Sequence, residues 1–355
     1  MMKIYLFIFL FLPFCLFSQW EKRIKVEVNP KIELMCVLHY LAGYEEKENV
    51  YTKKVDSAFK KYRKHPAVKG LMTLMENKKY IMAPDLIRMG IYFSNFPTFQ
   101  FQEKYSEIDS FILEENFRKK DLEKWFPLVE QFAKESHFWA FFEKNKPYYQ
   151  SLIAEQRKKF LTYQRQWTLI EQFMGDKSQR EWNIYLCPLV GRFHAEALFV
   201  NEAFNQKHHL ILLNSDFLTF ESEYLRQPLV SLLAHEITHL YTSKALYTTY
   251  RADILAIAKA KKSRLPAYLF LYKIDETLVS GIATYLDTYI LNKSASAFYY
   301  EYKYAIQNSN AKELYDITFV MRQLQEYDEA EKAYFTLMDF YPKLVGAVEK
   351  WEISN

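Results

Sequence analysis

The chain of 355 residues is long enough for one large or two ordinary domains, each able to bury a substantial core. Its net charge of +4, without any long basic run, gives no reason to expect nucleic acid, and an aromatic content of 18% lies far from disordered composition. Only 7 glycines stand in the whole sequence, which excludes a turn-rich all-β chain and points to a mainly helical one.

The first segment, MMKIYLFIFLFLPFCLFSQW, opens with Lys3 and an apolar run from Ile4 to Phe17. That run has signal-peptide length and is too short for an ordinary spanning helix. Residues 1–19 are therefore expected to be a signal peptide cleaved near Ser18 and Gln19, and the chain to be exported, periplasmic or extracellular. An uncleaved anchor is one alternative. A lipid on Cys15 is another, although bulky Phe14 precedes it where small residues are usual. No later window has an apolar run of spanning length, so no transmembrane segment is expected after signal removal. Cys36 and Cys187 then remain, able either to pair in an oxidising compartment or to stay as buried thiols.

From Gln19 to about Gly175 the pattern is helical. NPKIELMCVLHYLAG puts Ile32, Cys36 and His39 near one face and ends at Gly43. VDSAFKKYRKHPAVKGLMTLME carries Val55, Phe59, Val68, Leu71 and Leu74 at helical spacing, interrupted at Pro66. RKKDLEKWFPLVEQFAKES and YYQSLIAEQRKKFLTYQRQWTLIEQFMG repeat the same three-to-four step. Near Trp182 the register changes, and NIYLCPLVG and HHLILLN are expected to be strands. Helical spacing resumes from about Gln227 to the end. The segment EYDEAEKAYFTLMDFYP resembles half of a helical repeat, but no second copy exists. The expected division is a helical region over 20–175 and a second region over 176–355.

The chemistry is concentrated in LLAHEITHLY. After Pro228 an apolar stripe runs Val230, Leu233, Ala234, Ile237, Leu240 and Tyr241, so the segment is predicted to be a helix. On it His235 and His239 stand four residues apart, where two imidazoles on one face can both reach a single Zn²⁺. Glu236 sits beside the first of them, where a carboxylate can take a proton from metal-bound water and hand it to a leaving amine. A catalytic zinc needs a third protein ligand and an open position. In YKIDETLVSGIATYLDTY, Glu276 near the start of a second amphipathic helix is the candidate, with Asp275, Asp253 and Asp287 as rivals. The small residues Ser280, Gly281 and Ala283 would let that helix approach the first. A first-turn glutamate favoured by the helix dipole is the plain structural account of Glu276.

HEITH followed by a glutamate on the next long helix resembles the gluzincin group of zinc metallopeptidases, the thermolysin-like enzymes. The resemblance implies an α+β, predominantly helical chain with a zincin-like core and a small β-sheet preceding the HExxH helix. It implies that HHLILLN, with His209, Ile211 and Leu213, is an edge strand to which substrate adds. It also implies a tyrosine beyond the second histidine that binds the oxyanion. Tyr250 stands at that offset, with His194 and Tyr285 as rival donors. The sequence departs from the pattern at Ser280, where an aspartate that orients a zinc histidine is expected, leaving Asp253 or Asp287 for that task. Asn29, Pro30, Glu33 and Leu34, with His65 and Pro66, resemble a family of exported bacterial proteins of unknown function with a gluzincin-like core. On structure alone, Asn29-Pro30 reads as a helix start and His65-Pro66 as a helix break.

The expected function is thus an exported zinc-dependent peptidase acting on a peptide or protein. The alternatives are a peptide- or protein-binding envelope protein on a zincin scaffold without turnover, and a zinc amidohydrolase of a non-protein substrate.

Overall fold

The computed structural model describes residues 23–44, 50–76, 87, 89–101, 119–162, 164–175, 181–189, 194–198, 207–213, 229–286, 317–329 and 336–351. The expected signal peptide and Asp287 lie outside these residues. The chain is predominantly helical with one small sheet. It divides into two units, one made of residues 1–162 and 180–220, the other of 163–179 and 221–355. The expected boundary at 175/176 is corrected in both directions, because the strands after it join the first unit and a helix before it joins the second.

In the first unit β1 (Ile24–Glu27), β2 (Glu181–Cys187), β3 (His194–Leu198) and β4 (Lys207–Leu213) form a sheet in the order β1-β2-β4-β3. β1, β2 and β4 are parallel, and β3 runs antiparallel to β4. Trp182 to Cys187 are all buried, as expected for a strand covered on both faces. β1 is an element that the sequence pattern did not predict. IKVE alternates over only four residues, and its partner is remote, with Ile24 opposite Trp182.

The topology also corrects the edge-strand reading of β4. Each of His209, Ile211 and Leu213 has a partner on both sides: His209 faces Asn183 and Leu198, Ile211 faces Tyr185 and Glu196, and Leu213 faces Cys187 and His194. A strand with both hydrogen-bonding edges occupied cannot accept another. Among the described residues, the edges of the sheet are β1 and β3.

The helices of this unit are α1 (Pro30–Leu41), α2 (Val50–Phe59), α3 (Pro66–Glu76), α4 (Lys119–Glu135) and α5 (Phe138–Thr162). α1 begins where the sequence predicts. Asn29 Oδ1 accepts from the Lys31 backbone N–H at 3.0 Å, and Pro30 fills the first turn. Gly43, at φ +83°, closes it in a left-handed conformation that a side chain disfavours. At α3, His65 does more than break a helix, since its Nδ1 accepts from the Ala67 N–H at 3.1 Å. α1 is buried nearly all round and carries two ionisable groups into the core, Glu33 and His39. Tyr51 donates to Glu33 Oε1 at 2.6 Å, while the other carboxylate oxygen and both His39 nitrogens have no hydrogen-bond partner among the described residues. Burial pushes Glu33 up to about 8 against the opposing Tyr51 hydrogen bond, and pulls His39 down to about 3. Cys36 and Cys187 are both buried, as thiols rather than as a disulfide.

The second unit holds α6 (Gln164–Met174), α7 (Leu229–Thr248), α8 (Arg251–Ala260), α9 (Ala267–Tyr285), α10 (Ile317–Glu329) and α11 (Leu337–Ala347). The described ends of the repeat-like segment near the C-terminus fall in two helices, α10 and α11. α9 lies between α7 and α10. Phe270, Leu271, Ile274, Leu278, Val279 and Ile282 on it are essentially inaccessible, which marks it as the core helix of the unit. No described helix is long and apolar enough to cross a membrane.

Candidate metal centre

α7 carries HEITH in its middle. Ala234 and Ile237 of the predicted stripe are buried, Leu240 and Tyr241 are half-buried, and the side chains of Val230 and Leu233 lie outside the described residues. Two buried hydroxyls on this helix are satisfied locally, with Thr238 donating to the Ala234 carbonyl at 2.6 Å and Thr242 to the Thr238 carbonyl at 2.9 Å. α7 can therefore sit in the core without stranding either.

α9 begins at Ala267 behind Pro266, so Glu276 stands in mid-helix rather than in a first turn. The helix-dipole account of Glu276 does not apply, because that field is confined to the terminal turn. Gly281 also serves a different neighbour from the one expected. A Cβ there would fall 2.5 Å from Val320 Cβ, so the space it opens is filled by α10.

His235, His239 and Glu276 come together as one cluster. His235 Nε2 stands 3.2 Å from His239 Nε2 and 3.4 Å from Glu276 Oε2, and His239 Nε2 stands 3.5 Å from Glu276 Oε1. For metal–ligand bonds of about 2.0–2.1 Å, donor atoms at the corners of a tetrahedron stand about 3.3–3.4 Å apart. Neighbouring donors in an octahedral site with the same bonds would be about 2.9–3.0 Å apart. The 3.2 Å between the two Nε2 atoms lies nearer the tetrahedral edge, and each of them approaches a different oxygen of the Glu276 carboxylate. The donor set of two imidazoles and one carboxylate suits zinc, and the side chains of His235 and Glu276 keep 24% and 20% exposure, enough to admit solvent.

Behind His239 lies a contact that the sequence reading did not assign. Its Nδ1 is 2.9 Å from Ser243 Oγ and 3.3 Å from Asp275 Oδ2, and Ser243 Oγ donates to the Asp275 carboxylate at 2.8–2.9 Å. Asp275 is thus not a rival third ligand. It is buried, at 5% side-chain exposure, and faces the far side of the ring that Glu276 approaches. Burial lowers the His239 pKa, but the Glu276 and Asp275 carboxylates outweigh it and the net shift is upward. Tyr247 belongs to the same neighbourhood. Burial first, then the charges of Asp275 and Glu276, raise its phenol far above the ordinary value, so it stays protonated. A sequence signal existed, because His235, His239, Ser243 and Tyr247 follow one another at intervals of four along α7.

Of the remaining candidates, Glu236 is buried on α7 beside His235. Asp253 is exposed on α8 and outside the cluster. Tyr250 lies past the end of α7, two residues beyond Thr248, and its ring packs on Tyr341 with centroids 6.0 Å apart. Tyr285 is fully buried in the core against Phe173. His194 is on β3, in the first unit.

A family model described as a domain of unknown function (DUF4932) matches residues 24–347. No curated protein and no solved structure matches the chain.

Proposed function

We propose that this chain, which belongs to the DUF4932 family, is a zinc-dependent peptidase of gluzincin type whose metal is held by His235, His239 and Glu276. The observation that carries the reading is the convergence of His235, His239 and Glu276 from α7 and α9, with one donor atom from each within 4.8 Å of the others and the two Nε2 atoms 3.2 Å apart. Zinc bound there would act as a Lewis acid and lower the pKa of a water in its open position. Glu236, fixed on the same helix next to His235, accepts the proton of the attacking water and delivers it to the departing amine. His235 and His239 supply neutral nitrogen donors, and Glu276 supplies a negative one that offsets part of the metal's charge.

The mixed sheet ahead of the HExxH helix in the chain supports a zincin-like core, with its antiparallel edge at β3. The position four residues after Glu276 is still Ser280, so the orienting carboxylate of this chain is Asp275, one residue before the ligand. The apolar leader at residues 4–17 supports action outside the cytoplasm.

The test combines metal content with turnover. The full chain should carry about one zinc by elemental analysis, lost in His239→Ala and Glu276→Ala. Peptide-library cleavage by the loaded parent should vanish in Glu236→Gln, which keeps its zinc. No zinc in the folded parent, or equal cleavage by Glu236→Gln, would overturn the reading. Zinc without peptide cleavage would move it to a non-protein amide or to a binding role.

A further inference from the structure

Resting on the metal reading above, we infer that Ser243 and Asp275 are positioning residues that fix His239 in one tautomer and so decide which of its nitrogens meets the metal. The argument is a count of protons. A neutral imidazole carries one N–H, and a serine hydroxyl has one hydrogen to give. Ser243 Oγ lies within donating distance of both Asp275 oxygens, at 2.9 and 2.8 Å, and an ionised carboxylate can only accept. The serine hydrogen is therefore committed to Asp275. Its oxygen can then only accept along the remaining 2.9 Å contact, so the donor there is His239 Nδ1–H. With the imidazole hydrogen on Nδ1, the lone pair is on Nε2, the atom that faces His235 Nε2 and Glu276 Oε1.

Three features make this a built arrangement. Ser243 and Asp275 are nearly inaccessible, so water does not compete for the serine hydrogen. Ser243 stands four residues after His239 on α7, which holds its hydroxyl over the ring without any loop. Asp275 and Glu276 are consecutive on α9, so one rigid element presents one carboxylate to each nitrogen of the same imidazole. A metal-binding histidine whose other nitrogen is held in this way is a stiffer and more basic ligand. The direct Asp275–His239 contact is longer, at 3.3 Å, which makes the serine the closer partner of Nδ1.

The experiment uses the full chain with ¹⁵N-labelled histidine. Imidazole ¹⁵N spectra of the metal-free protein, at a pH where His239 is neutral, should assign its hydrogen to Nδ1. Ser243→Ala should give a mixed tautomer and bind zinc about 10–100-fold more weakly in chelator competition. Ser243→Thr, which keeps the hydroxyl, should restore both. A purely structural serine would lower the melting temperature of Ser243→Ala without moving tautomer or zinc affinity, and that result overturns the inference. A parent with the hydrogen on Nε2 also overturns it. A parent with the Nδ1 signal that takes up no zinc overturns instead the metal reading, while the tautomer assignment stands.

Discussion

His235 Nε2 and His239 Nε2 stand 3.2 Å apart. Without a metal, one of the two can donate its N–H to the lone pair of the other. A divalent cation bound there would replace that hydrogen bond and take both lone pairs. Zinc should therefore stabilise the folded chain by mass action, by about 2.7 kcal/mol at a free concentration 100 times Kd. Differential scanning calorimetry should record a rise in melting temperature with zinc, reversed by a chelator and absent in His239→Ala. A parent whose transition ignores zinc would count against the site.

The third ligand can be tested against its rival on the neighbouring helix. Asp253 is exposed on α8, and Asp253→Ala should change stability by no more than about 0.5 kcal/mol and leave zinc stoichiometry unchanged. Glu276→Ala should lose the zinc. The reverse pattern would transfer the ligand role to Asp253.

Glu33 and His39 give stability two opposed slopes in pH. The Glu33 pKa is about 8 in the fold against an ordinary 4.5, so the unfolded chain releases that proton first as pH rises. Its contribution is therefore most favourable below about 4.5, falls through the window to about 8 and is level above it. His39 titrates at about 3 in the fold against 6.5, so the unfolded chain takes up a proton that the folded one refuses. Its contribution falls as pH drops from 6.5 towards 3. Denaturant titrations across pH should show Glu33→Gln flattening the alkaline limb and His39→Gln the acid limb. A limb that keeps its slope in the matching variant would clear that residue of responsibility.

At Gly281 the helix propensity scale gives the wrong sign. An exposed glycine-to-alanine change in a helix gains about 1 kcal/mol. Here the new methyl would meet Val320 at 2.5 Å, so Gly281→Ala should instead destabilise by about 1–3 kcal/mol. Adding Val320→Ala should recover part of that loss, measured as a coupling in a double-mutant cycle. Additive losses would mean that the two helices do not press on each other there.

What was legible in the sequence is what a single helix can write at fixed spacing. His235, Glu236 and His239 needed only the i, i+4 rule, and Asn29-Pro30 needed only helix-start chemistry. Glu276 followed from a second amphipathic stretch, although the helix begins earlier than its polar residues suggested. Asp275 was visible, but its role was not, because which side of an imidazole a carboxylate approaches depends on how two helices cross. Ser243 went unnoticed as an ordinary small residue, despite its place in the four-residue ladder. β1 and the interior position of β4 were illegible for another reason. Strand pairing between Ile24 and Trp182 leaves no local pattern, and HHLILL reads the same at an edge as in the middle of a sheet.

The contact between Gly281 and Val320 acts on α9 as a detent. Asp275 and Glu276 address opposite nitrogens of one ring, so a one-residue screw displacement of α9, about 1.5 Å along and about 100° around its axis, would take that pair of carboxylates out of register with the ring. The notch at Gly281 accepts Val320 at one setting of the helix and has no room for a methyl. Indexing of the two carboxylates on His239 is thus fixed in part by a glycine more than one helical turn away, which touches none of the groups it aligns.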